Sequence, residues 1–302
     1  WLHRAPRRLL RRSRGRAATR VPHRDPQIQE AQDSLLVSEP QFDPPPVIFV
    51  PRAQDGENWR LAARKRAGTG PTVVWLGGFR SEMTATKASR LDQWAAQAGR
   101  AYLRLDYSGH GESERRFEDG TIGLWSADAL AAIDALAQGE RLVLVGSSMG
   151  GWIALLVARA LAARGEAGRL AGLVLIAPAV DFTEELMWAN MPQAVRDTIM
   201  AEGVWRQPSA YSDDPTPLTR ALIEDGRRNL LFPAPIRTHC PVHILQGMQD
   251  PDVPWRHAQK LFERLTADPA VISYIREGDH RLSRDEDLRL LIGAVEAIDA
   301  AG

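Results

Sequence analysis

A short segment rich in glycine and serine near the middle of the chain has the pattern of a nucleophile. Gly146-Ser147-Ser148-Met149-Gly150 fits G-x-S-x-G, with an apolar run before it and a helical pattern after it. Glycines on both sides allow a sharp turn that presents the central hydroxyl at the positive end of a helix. Ser147 does not fit, because Val145 lies two residues before it. We therefore predict Ser148 as the nucleophile of an acyl-transfer reaction, against the simpler interpretation of a Gly/Ser turn.

A serine hydroxyl needs a base, and chain order selects one of the seven histidines. His280 follows the last predicted strand, within Gly278-Asp279-His280-Arg281, where the order serine, acid, histidine requires the base. His110, in a glycine-containing turn, precedes the nucleophile, and His257 belongs to a predicted surface helix. The spacing therefore predicts His280 as the general base.

An acid that orients the base is expected after the apolar run 242–245. The turn there contains two candidates, Asp250 and Asp252. The number of residues between Asp250 and the neighbouring glycine and proline favours Asp250, and Asp252 stays the alternative. Asp279 adjoins the histidine, but neighbours in an extended segment point apart. The predicted role of Asp250 is to hold one imidazole tautomer and to stabilise the imidazolium.

The tetrahedral intermediate of acyl transfer carries an oxyanion that needs fixed donors. One donor is the backbone N–H after the nucleophile, which belongs to Met149. The second is expected from the loop Gly77-Gly78-Phe79-Arg80, and we assign it to the N–H of Phe79. Each such donor stabilises the transition state by roughly 3 kcal/mol. A plain glycine turn between strand and helix is the simpler interpretation of this loop.

Apolar strands alternate with amphipathic helices over most of the chain, which predicts a mostly parallel sheet covered on both faces, an α/β fold. Reactive groups of such sheets gather beyond the carboxyl ends of the strands, and the residues named above all follow predicted strands. The predicted strands are 47–50, 59–64, 72–76, 101–105, 142–145, 173–176, 242–245 and 272–275, and the predicted helices are 87–98, 124–137, 152–163 and 286–298.

The stretch 180–235 interrupts this alternation and is rich in Trp, Met and Pro, including Trp188, Trp205 and Tyr211. Large apolar residues in such number indicate a helical cap that covers something, rather than a long surface excursion. We therefore predict one domain, 41–302, that contains all the candidate catalytic residues and has a cap insertion at about 180–235.

Residues 1–40 have a different character from the rest. The first 24 residues contain nine arginines and no acid, a composition that cannot bury enough apolar surface to fold alone. A disordered tail, a mitochondrial transit peptide and a basic binding arm are the competing interpretations. We predict a cytoplasmic protein, with a mitochondrial location as the alternative if this segment is a transit peptide.

Composition restricts the partners. Lys and Arg total 38 and Asp and Glu total 38, so the formal net charge is zero. The whole molecule has no electrostatic attraction toward nucleic acid, and we predict no nucleic-acid partner. No run of eighteen apolar residues occurs, which predicts no stable membrane insertion. No metal cluster or phosphate-binding loop is visible, so we expect no cofactor. The expected partner is a small-molecule or acylated-protein substrate, and the oligomeric state is left open.

The motifs together resemble a known group. They are similar to motifs of the α/β-hydrolase superfamily. The residues that carry this resemblance are 77–79, 105–109, 146–152, 247–250, 253–255 and 279–281, with cap residues 203–205, 208–209 and 211–212. Within this superfamily they resemble the abhydrolase-domain palmitoyl-protein thioesterases, also described as acyl-glucuronide esterases, and their bacterial relatives. The resemblance implies hydrolysis of thioesters or activated carboxyl esters by Ser148, Asp250 and His280. The chain differs from that group in the tail and at Gly77, His110 and Met149.

Two classes of alternative stay open. The same three side chains occur in lipases, peptidases and acyltransferases, so the fold and motifs leave the reaction within this class to be decided. A catalytically dead hydrolase fold that only binds is the alternative that is not an enzyme. It predicts that the nucleophile, base or acid is missing, and the sequence contains candidates for all of them.

Overall fold

A computed structural model describes residues 43–54, 56–208 and 215–300. The predicted basic tail 1–40 and the cap residue Tyr211 lie outside these ranges. Within them, no helix has the length and the apolar character needed to span a bilayer.

An eight-stranded sheet forms the centre of the described part of the chain, in the order β1-β2-β4-β3-β5-β6-β9-β10. Its strands are β1 Ile48–Gln54, β2 Glu57–Arg66, β3 Thr69–Leu76, β4 Arg100–Leu105, β5 Leu142–Ser147, β6 Leu170–Ile176, β9 Val242–Gly247 and β10 Ala270–Ile275. The β1–β2 and β2–β4 pairs are antiparallel and the remaining pairs are parallel. The predicted mostly parallel sheet is therefore confirmed, and β1 and β2 form an antiparallel hairpin at one edge of it.

Helices cover the sheet because its strands are apolar on both faces. The helices are α1 Thr86–Ala98, α2 Ile122–Leu136, α3 Met149–Ala163, α4 Gln193–Glu202, α5 Arg220–Arg228, α6 Trp255–Arg264 and α7 Asp285–Ala300. One buried cluster joins α1 and α7 to alternate strand residues such as Val143 and Val145. The intervening residues Leu142 and Leu144, which point to the opposite face, are also fully buried. The helical patterns from sequence were therefore placed correctly, to within a few residues at their ends.

The insertion between β6 and β9 contains more than helices. After a π-helical turn at Thr183–Met187 and α4, the chain forms an antiparallel pair from β7 Val204–Gln207 and β8 Thr216–Thr219 before α5. Sequence analysis predicted a helical cap only. Strands of four residues are too short for an alternating pattern to distinguish them from irregular chain. The helix before them, α4, ends at Glu202 and is capped by Gly203, which has φ 85°.

A buried ion cluster links α1 to the sheet. Asp92 Oδ1 accepts from Arg66 Nε at 2.6 Å and Oδ2 from Arg104 Nη2 at 2.8 Å, with the aspartate side chain 0% exposed. We expect Asp92→Asn to lower the free energy of unfolding by about 3–5 kcal/mol, because it leaves buried cations without their counter-charge. Urea unfolding followed by tryptophan fluorescence measures this change.

The matched control for that prediction is Asp134, whose pair with Arg164 at 2.9 Å is 44% exposed on the aspartate side. Asp134→Asn is expected to change stability by less than about 1 kcal/mol, because solvent screens an exposed pair. Equal losses in the two variants would contradict the role given to the buried cluster.

Candidate active site

Ser148 lies on the sharp turn between β5 and α3. Its backbone has φ 55° and ψ −117°, a left-handed conformation that costs a non-glycine residue free energy. Glycines make the turn possible: a Cβ at Gly150 would collide with the Leu76 carbonyl, and one at Gly146 would collide with the Gly150 carbonyl. The side chain is therefore presented at the N-terminus of α3 while the backbone remains tightly packed.

The structure brings three of the predicted residues into one hydrogen-bonded chain. His280 Nε2 lies 3.1 Å from Ser148 Oγ, and His280 Nδ1 lies 2.8 Å from Asp250 Oδ2. Both distances are within hydrogen-bond reach, and the tautomer with a proton on Nδ1 lets that atom donate to the carboxylate and leaves Nε2 to accept from the hydroxyl. The arrangement can remove a proton from Ser148 and stabilise the resulting imidazolium.

Asp250 is held rigidly by the turn that contains it. Its Oδ1 accepts from the backbone N–H groups of Asp252 and Val253, both at 2.8 Å, and its side chain is fully buried. The turn therefore directs Oδ2 toward the histidine. Asp252, the alternative acid, is also near, because an oxygen of each carboxylate and a ring nitrogen of His280 lie within 4.8 Å of one another.

Gln246, which sequence analysis did not select, supports the acid. Its Nε2 donates to the Val253 carbonyl at 3.0 Å and lies 3.4 Å from Asp250 Oδ2. The signal available in the sequence was a lone amide in the otherwise apolar strand β9, where a buried polar side chain needs hydrogen-bond partners.

The loop that contains His280 is tied to its neighbours on both sides. The Gln249 N–H donates to the Gly278 carbonyl at 2.9 Å, and Lys87 Nζ donates to the Arg281 carbonyl. Asp279 accepts from the backbone N–H of Arg281 at 3.1 Å, so its carboxylate stabilises its own turn. These contacts fix the imidazole over the serine.

The predicted oxyanion loop lies against the nucleophile. A methyl group added at Gly78 would lie 3.4 Å from Ser148 Cβ and 4.0 Å from its Oγ. Phe79 follows directly, and Met149 is the first residue of α3, where backbone N–H groups lack partners within the helix. Assignment of the Phe79 and Met149 N–H groups as oxyanion donors stays a prediction that this placement supports.

The other described histidines occupy different surroundings. His257 lies on the predicted surface helix, α6, and on the buried face of that helix: it is 7% exposed and its Nε2 lies 2.8 Å from the Val180 carbonyl. The histidine therefore packs beneath the start of the cap insertion. Burial lowers the pKa of His257 and His243 and lowers that of His110 to about 4, so these rings are neutral at pH 7.

Two other features bear on the chemistry of the site. Burial raises the pKa of the Cys240 thiol to about 12, so the cysteine is not an alternative nucleophile at neutral pH. Within the described ranges, the residues close enough to share a metal ion are Asp250, Asp252 and His280. Two of them belong to the hydrogen-bonded chain itself.

Asp181, at the start of the cap insertion, predicts a pH effect on stability. Burial raises its pKa to about 6, although its carboxylate accepts from the N–H groups of Leu231 and Phe232 at 2.9 and 2.8 Å. A raised folded-state pKa means that the folded state binds more protons, so this stabilisation is present below about pH 4 and is lost as the pH rises through about 6.

We therefore expect the stability advantage of wild type over Asp181→Asn to shrink by on the order of 2 kcal/mol between pH 4 and pH 7. Chemical denaturation of both proteins across this range measures the difference. An advantage that stays constant or grows with pH would contradict the raised pKa.

A mostly parallel sheet with a serine turn after β5 and a histidine beyond β10 defines the α/β class of hydrolases. The model of the alpha/beta hydrolase family matches residues 68–291, and the chain belongs to this family. The predicted fold class and the family resemblance are therefore confirmed.

Similar proteins narrow the comparison. The chain is 33% identical over 237 residues to the mitochondrial palmitoyl-protein thioesterase ABHD10 of Bos taurus, covering 78% of this chain and 75% of the relative. It is 32% identical to the Homo sapiens protein over the same coverage.

Solved structures show the same relationship. A hydrolase from Agrobacterium vitis S4 is 45% identical with a TM-score of 0.81, covering 85% of this chain and 100% of that chain. Mouse alpha/beta hydrolase domain-containing protein 10 is 30% identical with a TM-score of 0.74 and the same coverage.

Proposed function

We propose that this hydrolase cleaves acyl thioesters or carboxylic esters through an acyl-enzyme on Ser148. The observation that carries the proposal is the hydrogen-bonded chain from Ser148 Oγ through His280 to Asp250 Oδ2, at 3.1 and 2.8 Å. A buried carboxylate, an imidazole and a hydroxyl in this order activate a serine without a cofactor.

Acylation begins with attack of Ser148 Oγ on the substrate carbonyl carbon while its proton passes to His280 Nε2. The carbonyl π bond breaks and its electron pair becomes the oxyanion, which in this proposal accepts hydrogen bonds from the N–H groups of Phe79 and Met149. As the C–S or C–O bond breaks, the imidazolium gives its proton to the leaving thiol or alcohol. Asp250 remains ionised throughout and stabilises the imidazolium.

Deacylation repeats these steps with water in place of the serine. His280 Nε2 takes a proton from water, the hydroxide attacks the acyl carbon, and Ser148 leaves with the proton from the imidazolium. The products are a carboxylic acid and the free enzyme.

An apolar acyl group is supported by the surroundings of the oxyanion loop. The Phe79 ring makes edge-to-face contacts with Phe117, Trp125 and Phe182, with centroids 5.0, 5.9 and 5.7 Å apart. Mammalian relatives at about one-third identity are named palmitoyl-protein thioesterases, which supports long-chain acylated proteins or small acyl thioesters as substrates.

A substrate panel tests this proposal against lipase, peptidase and acyltransferase activity on the same residues. Purified protein is assayed with acyl-CoA, a palmitoylated peptide, an acyl glucuronide, a triglyceride and a peptide amide, with and without an acceptor alcohol. We expect thioester or activated-ester hydrolysis with an acylated Ser148 peptide trapped by mass spectrometry. Turnover restricted to the amide or the triglyceride would refute the substrate class, and no turnover or acylation at all would favour a binding protein.

The compartment is proposed from the relatives and the sequence together. The mammalian relatives carry a mitochondrial designation, which supports the mitochondrial alternative over the cytoplasmic prediction. Residues 1–42 fused to a fluorescent protein are expected to direct it to mitochondria in cultured cells, because the first 24 residues are rich in arginine and contain no acid, as transit peptides do. The same fusion with those arginines replaced by glutamine is the control, and equal distributions would contradict import. The absence of a nucleic-acid partner and of stable membrane insertion stays a prediction.

A further inference from the structure

The residue after the predicted oxyanion donor Phe79 has an unusual backbone and an unusual partner. Arg80 has φ 58°, a left-handed conformation that is unfavourable for any residue with a side chain. Its backbone N–H donates to the side chain of His110, with 3.2 Å between Arg80 N and His110 Nε2. A strained peptide persists only when its surroundings hold it, and this hydrogen bond does so.

The other ring nitrogen of His110 determines which atom accepts. Nδ1 lies 3.2 Å from the Ser108 carbonyl oxygen, and because a carbonyl only accepts, Nδ1 carries the proton. Nε2 therefore presents a lone pair to Arg80. This arrangement needs a neutral imidazole, and burial lowers the pKa of His110 to about 4 with a smaller contribution from the Arg80 charge.

The ring is itself immobile. It is 3% exposed, and its centroid lies 5.1 Å from those of both Phe117 and Trp125 in edge-to-face contact. The Ser108 carbonyl also accepts from Trp125 Nε1 at 3.0 Å, and Ser108 Oγ donates to buried Asp128 at 2.6 Å. The acceptor is therefore a fixed part of the core.

The Arg80 side chain has partners of its own. Its Nη1 donates to Thr216 Oγ1 on β8 of the cap insertion at 2.7 Å, and its guanidinium lies 5.8 Å from the Phe117 ring centroid. Phe117 also packs against Phe79 and His110. Arg80 is thus held at two points. Its backbone N–H is bound by His110 of the core, and its side chain is bound by Thr216 of the cap insertion.

We infer that His110 is a positioning residue for the oxyanion loop, whose Nε2 lone pair fixes the Arg80 N–H and thereby holds the Phe79 N–H beside Ser148. This inference rests on the proposed function, because an oxyanion donor matters only for acyl transfer. The acceptor can act on the reaction without touching the substrate, since a small displacement of a donor weakens transition-state stabilisation.

The test compares His110→Phe with His110→Gln in the full chain. Phenylalanine preserves the aromatic contacts and removes the acceptor, whereas the glutamine amide oxygen reaches a similar position and can accept from Arg80. With the best ester or thioester of the panel, we expect His110→Phe to lower kcat by roughly 10- to 100-fold, less than complete loss of a donor, with KM within about threefold. His110→Gln should recover most of that loss.

A second readout separates positioning from general loss of structure. A trifluoromethyl ketone forms an oxyanion with Ser148, so its affinity for His110→Phe should fall in parallel with kcat/KM, while the affinity of the carboxylic acid product stays near wild type. Thermal unfolding verifies that each variant is folded. If His110→Phe does not fold, the inference requires His110→Gln to be active and to bind the ketone more weakly than wild type by no more than about fivefold.

The inference is overturned if folded His110→Phe keeps wild-type kcat, if the loss is confined to KM, or if ketone affinity does not follow kcat/KM. Each of these results leaves the proposed function intact, because the wild-type enzyme is active in all of them. Wild-type protein without turnover or acylation would instead overturn the proposed function, and this inference with it.

Discussion

Ser148→Ala is expected to lower kcat by roughly 10⁴- to 10⁶-fold on the best substrate of the panel. The substitution removes the atom that is proposed to form the acyl-enzyme, while the imidazole and the predicted backbone donors remain. The residual rate would come from the oxyanion donors and substrate binding acting on water. Steady-state hydrolysis of that substrate measures the effect.

The neighbouring serine supplies the control for that substitution. Ser147 ends β5 and is 7% exposed, so Ser147→Ala makes an equivalent chemical change one residue away. We expect it to retain activity within a few-fold and to be labelled by a fluorophosphonate probe at residue 148. Labelling of Ser148→Ala at wild-type rate would exclude Ser148 as the nucleophile.

Asp250→Asn is expected to lower kcat by about 10⁴-fold with little change in KM. The amide can donate to His280 Nδ1 and so favour the tautomer that carries its proton on Nε2, which cannot accept from the serine. The backbone donors to Oδ1, from Asp252 and Val253 at 2.8 Å, hold the oxygen side of the new amide and leave its NH₂ group facing the ring. The fold is preserved, so the loss appears in catalysis.

Asp252→Asn is the matched control, because both carboxylates lie near the ring. Its expected effect is less than about tenfold, since it removes a nearby charge without changing the hydrogen bond to Nδ1. The reverse order of the two effects, measured as kcat on one substrate, would give the acid role to Asp252. Comparable losses would indicate that the two aspartates share it.

Local pattern was sufficient for most elements of the sheet and helices. Apolar runs of four or five residues between helical segments predicted parallel strands, and β5, β6, β9 and β10 occur where this rule placed them, with β10 as a partly exposed edge strand. The β7–β8 pair was missed, because β7 and β8 are too short to show a period. The burial of His257 on α6 was not predicted, since it depends on contact with the cap insertion, which local pattern does not describe.

The candidate site divides in the same way. The serine turn could be recognised from sequence because its glycines are required by close contacts. A Cβ on either flanking glycine would collide with the carbonyl oxygen of Leu76 or of Gly150. For Gln246 the only signal in the sequence was a polar amide within a mostly apolar strand, and for the inferred role of His110 there was none, because each role depends on which backbone groups surround the side chain. A histidine in a turn reads the same in sequence whether it titrates at the surface or remains neutral in the core.

The order of residues by itself determined the fold class and the candidate serine and base, and it favoured Asp250 over Asp252 as the acid, since these follow from short-range periodicity and from loops at strand ends. The tertiary structure alone decided that Ser148 Oγ and His280 Nε2, 132 residues apart, lie 3.1 Å from each other, and that Asp250 hydrogen-bonds the ring. The physical reason is that hydrogen bonds depend on distances of a few tenths of an ångström, which arise from packing of the whole sheet and its loops. Sequence spacing carries no such distance.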